Sequence, residues 1–325
     1  MEKSTGKPIV PVRTSNGYGP VRYFRDVMRN VRNALYEVLF SAWPVGVRGK
    51  TRWLNFLTAV LRIEPYGYWK YMRMGIYRLR LDPGDRNDRY YFFGMIPRVY
   101  GDIARALLKE GDAVLDVGAN VGHFSALSAA VVGKSGKVYA IEANPVLFDR
   151  LSSMAAEVSG GPISAHHAAV WSRPGSMPFY LATETGWSSL RENPTFDTDR
   201  VVTVEAVTID RFVAREKIPH IALLKLDIEG AETDALLGAR ECIRIGGIDH
   251  ILLEAEPNRL MAFERSGQEI AELMDAYGFV PVAFIKGNRL YAACGQKEVP
   301  GTFNGDYLYC RRPLLDRTRA AVLHE

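Results

Sequence analysis

Two short stretches carry residue types at spacings that could do chemistry. The first, AVLDVGANVGHF (113–124), runs from an apolar segment through one acid, Asp116, into two glycines, Gly118 and Gly122. Glycines after a buried strand let backbone approach a ligand closely, and ligands of open α/β sheets lie beyond the carboxyl ends of the strands. A dinucleotide fingerprint needs G-x-G-x-x-G. Here Asn120 stands where the pyrophosphate-admitting second glycine belongs, and His123 replaces the third. A ligand without phosphates suits this turn better. S-adenosylmethionine is one: its sulfonium and amino groups are positive and suit Asp116. Its ribose hydroxyls suit an acid closing the next strand, the position of Glu142 in KVYAIEAN. The expected cofactor contacts are therefore Asp116, Gly118, Asn120, Gly122, Glu142 and Asn144. A nicotinamide-dinucleotide oxidoreductase is the competing reading, and a tight strand-to-helix turn without a ligand is the plain one.

The second stretch is IALLKLDIEG (221–230). Lys225, Asp227 and Glu229 alternate, so an extended chain places all three on one face. Charges on so apolar a strand are costly unless paired or at its mouth. They are expected to be the catalytic group, with Asp227 or Glu229 accepting a proton and Lys225 tuning the carboxylate. A network that merely holds the strand end is the alternative. Asp227, Glu229 and Glu254 also offer oxygens suited to Mg2+, a second way to activate a hydroxyl. Glu232 and Asp234 are expected to stabilise the start of the next helix. His123 and Trp187 are further candidates for cofactor or acceptor contacts.

These stretches need a scaffold. The 325 residues are 47% hydrophobic and 24% charged, an ordinary balance for a globular protein. No apolar run is long enough for a membrane-spanning helix, and three scattered cysteines fit a reducing, cytoplasmic location. Residues 1–100 hold 18 Lys/Arg against 7 Asp/Glu, while residues 101–325 hold 23 against 30. The chain is accordingly divided into a basic N-terminal extension (1–100), a catalytic domain (101–312) and a C-terminal tail (313–325). The extension is read as a flexible arm, amphipathic helices near 23–40 and 51–61, and two strands around the DPGD turn at 82–85. Its Arg-lined helices make residues 21–62 a candidate for peripheral contact with the inner membrane face. A non-enzymatic membrane-surface protein with an inert core is the corresponding alternative function.

From residue 101, apolar runs alternate at strand and helix lengths. ISAHHAAV, MPFYLA, VVTVEAV, HILLEAE, FVPVAFI and GDYLYCR read as strands, and AETDALLGARECI and GQEIAELMDAYG as helices. This βαβ rhythm predicts a doubly wound, mostly parallel sheet with helices on both faces.

The series VLDVGANVG, AIEANP, AVWSRPG, LLKLDIEGAE and ILLEAEP, with TVEAVTID before Lys225, resembles the FkbM-type S-adenosylmethionine-dependent methyltransferases over roughly residues 90–285. Their tyrosine-glutamate pair ahead of the core is replaced here by FFGMIP. The resemblance implies a class I methyltransferase fold, with a Rossmann-like sheet of seven strands, and O-methylation of a hydroxyl on a sugar, glycolipid or secondary metabolite. The expected partner is thus a small-molecule or glycan acceptor. Nucleic acid is not expected, since no N-P-P-Y-like motif follows a core strand.

Overall fold

The computed structural model describes residues 70–82, 85–92, 98–182, 185–192, 198–286, 289–293 and 305–323, with Val31 and Phe56 besides. The arm, the helices near 23–40 and 51–61, the surface over 21–62 and residues 93–97 lie outside these. Two compact units divide the chain, Met1–Tyr66 and Gly67–Glu325. All elements that follow belong to the second.

The unit opens with a hairpin, β1 (Lys70–Met74) and β2 (Tyr77–Leu81), whose turn is at Gly75. Tyr77, Leu79 and Leu81 alternate into the core. DPGD therefore does not join two strands. It precedes helix α1 (Arg86–Phe92), because Asp85 Oδ1 accepts from the amides of Asn87 and Asp88 and so caps a helix start. Helix α2 (Val99–Leu107) follows.

The alternation then runs β3 (Ala113–Val117), α3 (His123–Val132), β4 (Lys137–Glu142), α4 (Pro145–Ala156) and β5 (Ile163–His167). Next come β6 (Ala169–Val170), β7 (Gly175–Ala182), β8 (Thr198–Val207), α5 (Ile209–Glu216) and β9 (Ile221–Leu226). The chain continues with α6 (Glu232–Leu237), α7 (Arg240–Arg244), β10 (Ile248–Ala255), α8 (Pro257–Ala262) and α9 (Gly267–Ala276). It ends with β11 (Phe279–Lys286), β12 (Arg289–Ala292), β13 (Gly305–Arg311) and α10 (Leu315–Leu323).

The main sheet has eight strands in the order β12-β11-β13-β10-β9-β3-β4-β5. Strands β5, β4, β3, β9 and β10 are parallel neighbours, and β13 runs against β10 and β11. This is the doubly wound arrangement expected, with one strand more than the expected seven. The extra edge strand β12 is short and half exposed, so its apolar signal is slight; it folds back on β11, where Tyr291 stacks on Phe284 at 5.1 Å. ISAHHAAV is not one strand, since Ala169 and Val170 leave the main sheet and pair with β8 in a separate sheet of order β6-β8-β7. AETDALLGARECI breaks into α6 and α7 around Gly238, where a Cβ would lie 2.5 Å from the Trp171 carbonyl. The segment beyond residue 312 carries α10, which buries Thr318 and Val322. No helix among the described residues is long and apolar enough to cross a membrane.

The direction of winding across the sheet reverses between the parallel neighbours β3 and β9. From β3 the chain winds outward through β4 and β5; from β9 it winds the other way through β10. Both chemically loaded stretches end at this switch point, where such sheets bind ligands.

Candidate active site

At the switch point Asp116 on β3 and Lys225 on β9 are register partners and share a face. Past them both strands break into turns that rest on each other. Gly118 has φ +80°, and a Cβ there would lie 1.8 Å from the Asp227 carbonyl oxygen. The close approach that selects glycine at 118 is thus to the neighbouring strand. At Gly122, φ +90°, a Cβ would meet Met154 Cε at 2.2 Å, so this glycine lets α3 start against α4. Between them Asn120 takes the left-handed conformation at φ +53°. Such conformations in non-glycine residues concentrate at ligand sites.

Every backbone N–H of this turn is committed. Those of Gly118 and Ala119 donate to the Ile141 carbonyl at 3.0 Å each, and that of Gly122 to the Ala119 carbonyl at 2.9 Å. The Asn120 N–H donates to Glu142 Oε2 and the Val121 N–H to Asn120 Oδ1, both at 2.8 Å. Glu142 Oε1 accepts from the Asn144 N–H at 2.8 Å. Glu142 is therefore locked at the cleft edge, with each carboxylate oxygen retaining acceptor capacity. Burial pushes its pKa up to about 7 against the two backbone donors.

A cleft of about 300 Å³ opens over these turns. Gly118, Asn120, Glu142, Lys225, Asp227 and Glu229 line it. Three expected cofactor contacts stand back from its wall. Gly122 packs on α4, and Asn144 is buried as the α4 cap, its Oδ1 accepting from Val146 N–H and its Nδ2 donating to Ser188 Oγ. Asp116 is fully buried; Oδ2 accepts from Ser125 Oγ at 2.5 Å, while Oδ1 has no partner.

The second stretch departs from simple alternation. The strand ends at Leu226, and Glu229 sits at φ +60° in a tight turn. Glu232 holds that turn by accepting from the N–H groups of Ile228 and Gly230 at 3.0 and 3.3 Å. It is thus a buried brace for the loop and not only a helix-dipole partner. Asp234, expected in the same role, pairs with Arg265 at 3.1 Å. The turn still brings Lys225, Asp227 and Glu229 to one cleft. Lys225 Nζ donates to Asp227 Oδ2 at 2.7 Å. Burial is the largest influence and would raise the Asp227 pKa, but the Lys225 charge and hydrogen bond, with Glu254 and Arg259, together hold the carboxyl below its usual range. Lys225 is in turn held above its usual range, Asp227 and Asp116 outweighing its burial.

Arg259 on α8 carries no motif of its own in the sequence. It reaches back to Glu229 and, at 2.8 Å, to Glu254 at the end of β10. Burial holds both glutamates well above the ordinary carboxylate range. Asp227, Glu229 and Glu254 each bring an oxygen within 4.8 Å of the others, the spacing of a cation site. Lys225 and Arg259 already pair with these carboxylates, and nothing beyond the spacing supports Mg2+.

Three tyrosines on the cleft also escaped sequence analysis. Tyr90 and Tyr91 come from α1, and Tyr100 from α2, donating to Asp306 Oδ2 at 2.6 Å. Trp187 lines the cleft with the Arg86 guanidinium 4.7 Å from its ring centre. His166 and His167 lie off the cleft; the first packs edge-on to Phe212 and the second contacts the Ala143 carbonyl.

The methyltransferase FkbM domain model matches residues 116–281, half of the chain, and spans both turns. The chain belongs to the FkbM methyltransferase family. Hexuronic acid methyltransferase AglP of Haloferax volcanii is 27% identical to this FkbM chain over 158 residues, covering 47% of the chain and 61% of that protein. Protein-L-isoaspartate O-methyltransferase 2 of Archaeoglobus fulgidus is 54% identical over 43 residues, 13% of the chain and 20% of that protein. The FkbM chain thus matches about three fifths or less of these relatives' lengths. A crystal structure of methyltransferase FkbM from Methylobacillus flagellatus aligns with 86% of the chain and 59% of its own, at 16% identity and a TM-score of 0.41.

Proposed function

We propose that the cleft binds S-adenosylmethionine and transfers its methyl group to a hydroxyl of a sugar or related polyhydroxy acceptor. One observation carries the cofactor assignment. The five amides of residues 118–122 are all bonded within the protein, one of them to a carboxylate. A pyrophosphate binds through free backbone N–H groups and avoids negative charge. A ligand with a ribose diol and positive groups needs acceptors, and Glu142 supplies them. Asp116, buried behind the cleft wall as the register partner of Lys225, adds negative charge beneath the site without reaching the ligand. These residues fit S-adenosylmethionine and disfavour a nicotinamide dinucleotide.

On the acceptor side Asp227, Glu229, Glu254, Arg259 and Tyr100 form a polar wall suited to hydroxyl-rich molecules, and the hexuronic acid methyltransferase relative supports a sugar there. Methyl transfer to oxygen asks mainly for in-line alignment. In this reading the Lys225–Asp227 and Arg259–Glu229–Glu254 groups fix the acceptor, and Mg2+ has no part.

The test uses methyl-labelled S-adenosylmethionine with glucuronic acid and with glycans that contain it. Label is expected in a product stable to alkali, as an ether formed at a hydroxyl is. Label released by alkali marks a carboxyl ester and contradicts the hydroxyl assignment. No transfer to any hydroxyl-bearing acceptor contradicts the reading as a whole.

A further inference from the structure

We infer that His123 is the group that takes the acceptor's proton. The inference rests on the hydroxyl-methylation reading above. His123 opens α3 directly behind the glycine turn and lines the cleft. Its ring lies 5.0 Å from Tyr91 of α1, and its sequence neighbour Phe124 lies 5.8 Å from Lys225 Nζ. Neither ring nitrogen hydrogen-bonds to a described residue, and neither is sealed inside the protein.

The carboxylates of the cleft and Tyr100 are engaged. Asp227 is bound to Lys225, Glu229 and Glu254 share Arg259, Glu142 holds two backbone amides, and Tyr100 donates to Asp306. An imidazole with an open lone pair on the cleft is what a proton acceptor must offer.

The charged and titratable groups around the ring are Lys225 with its partners Asp227 and Asp116, and the Tyr91 hydroxyl. Burial, then the Lys225 charge, pushes the His123 pKa down to about 4. The ring is therefore neutral at working pH, with no proton to block the lone pair and no positive charge to repel a sulfonium. A weak base suffices. As the hydroxyl oxygen forms its bond to the methyl carbon, the C–S bond breaks onto sulfur. The O–H then becomes far more acidic than an imidazolium. That proton passes to His123, so the positive charge lost at sulfur appears on the ring, and the low pKa returns the proton to water. Asp227 and Glu229, the two carboxylates expected from the sequence to accept that proton, are left to hold Lys225, Arg259 and the acceptor.

The test compares the parent with His123→Gln and His123→Ala, using the acceptor that takes alkali-stable label. Turnover should fall on the order of 10²–10⁴-fold in both variants. Affinity for S-adenosylmethionine by calorimetry should stay within about twofold, and added imidazole should restore part of the His123→Ala rate. In the parent, turnover at saturating cofactor should be flat from pH 8 to 5 and fall as pH drops through about 4. Full turnover in a folded His123→Gln protein overturns the inference. So does a collapse of cofactor affinity, which would make His123 a binding contact only, or an absence of imidazole rescue. A parent that binds S-adenosylmethionine but methylates no hydroxyl overturns instead the reading on which the inference rests.

Discussion

Replacing Arg150 by Met is expected to remove about 3–5 kcal/mol of stability, the usual effect of stripping the partner from a buried charge. Arg150 on α4 and Asp88 on α1 form an ion pair at 2.6 Å, with side chains only 2% and 1% exposed. The same guanidinium donates two hydrogen bonds to the Arg80 carbonyl at the end of β2. One side chain thus ties the hairpin and α1 to the sheet, and α1 carries Tyr90 and Tyr91 into the cleft. For a unit of this size the melting temperature should drop on the order of 10 °C. The loss should depend on pH. Burial already pushes the Asp88 pKa up to about 6 despite Arg150. A carboxyl whose folded pKa lies above its unfolded value binds more protons folded, so its contribution falls as pH rises between the two. Without Arg150 that pKa rises further, and the variant should be hurt more at pH 8 than at pH 5. Denaturant melts at the two pH values check this; equal losses would mean that Arg150 acts through packing and its bonds to Arg80.

Lys225→Met should be at least as damaging. Lys225 is 7% exposed and faces Asp227 at 2.7 Å and its register partner Asp116, itself fully buried. Methionine keeps the apolar stem and removes the cation, leaving two carboxylates facing each other. The expected loss is again about 3–5 kcal/mol at neutral pH. Both carboxyl pKa values should climb, so the deficit should shrink as the pH is lowered and each takes up a proton. Stability curves of parent and variant between pH 5 and 8 should converge toward the acid end. A deficit that does not change with pH would show that the pair contributes by shape alone.

The parallel core was legible because its signals are local. Apolar runs of strand length separated by helix-length segments dictate βαβ winding, and β3, α3, β4 and α4 fall where AVLDVGAN, HFSALSAAVV, KVYAIEAN and PVLFDRLSSMAAEV place them. What sequence could not carry was the partner of each polar group. Glu232 reads as a helix-start acid, yet its carboxylate reaches back to the loop before it. Arg259 sits in an unremarkable helix, and only the fold brings it onto Glu229 and Glu254. Glu229 continues an alternating pattern on paper, but the strand ends three residues earlier and a left-handed turn redirects it. DPGD has strong turn composition, and the aspartate that caps α1 was hidden inside it.

The central claim is that the glycine turn and Glu142 hold an S-adenosyl ligand. Calorimetric titration of the protein with S-adenosylmethionine, beside NAD+, tests it most directly. S-adenosylmethionine should bind and NAD+ should not. Ribose hydroxyls donate to the ionised form of Glu142, whose pKa stands near 7 in the free protein, so affinity should strengthen between pH 6 and 8. Glu142→Gln should weaken it by about 1.5–3 kcal/mol and abolish the pH dependence. Binding of NAD+ in preference, or S-adenosylmethionine binding untouched by Glu142→Gln at every pH, would contradict the account.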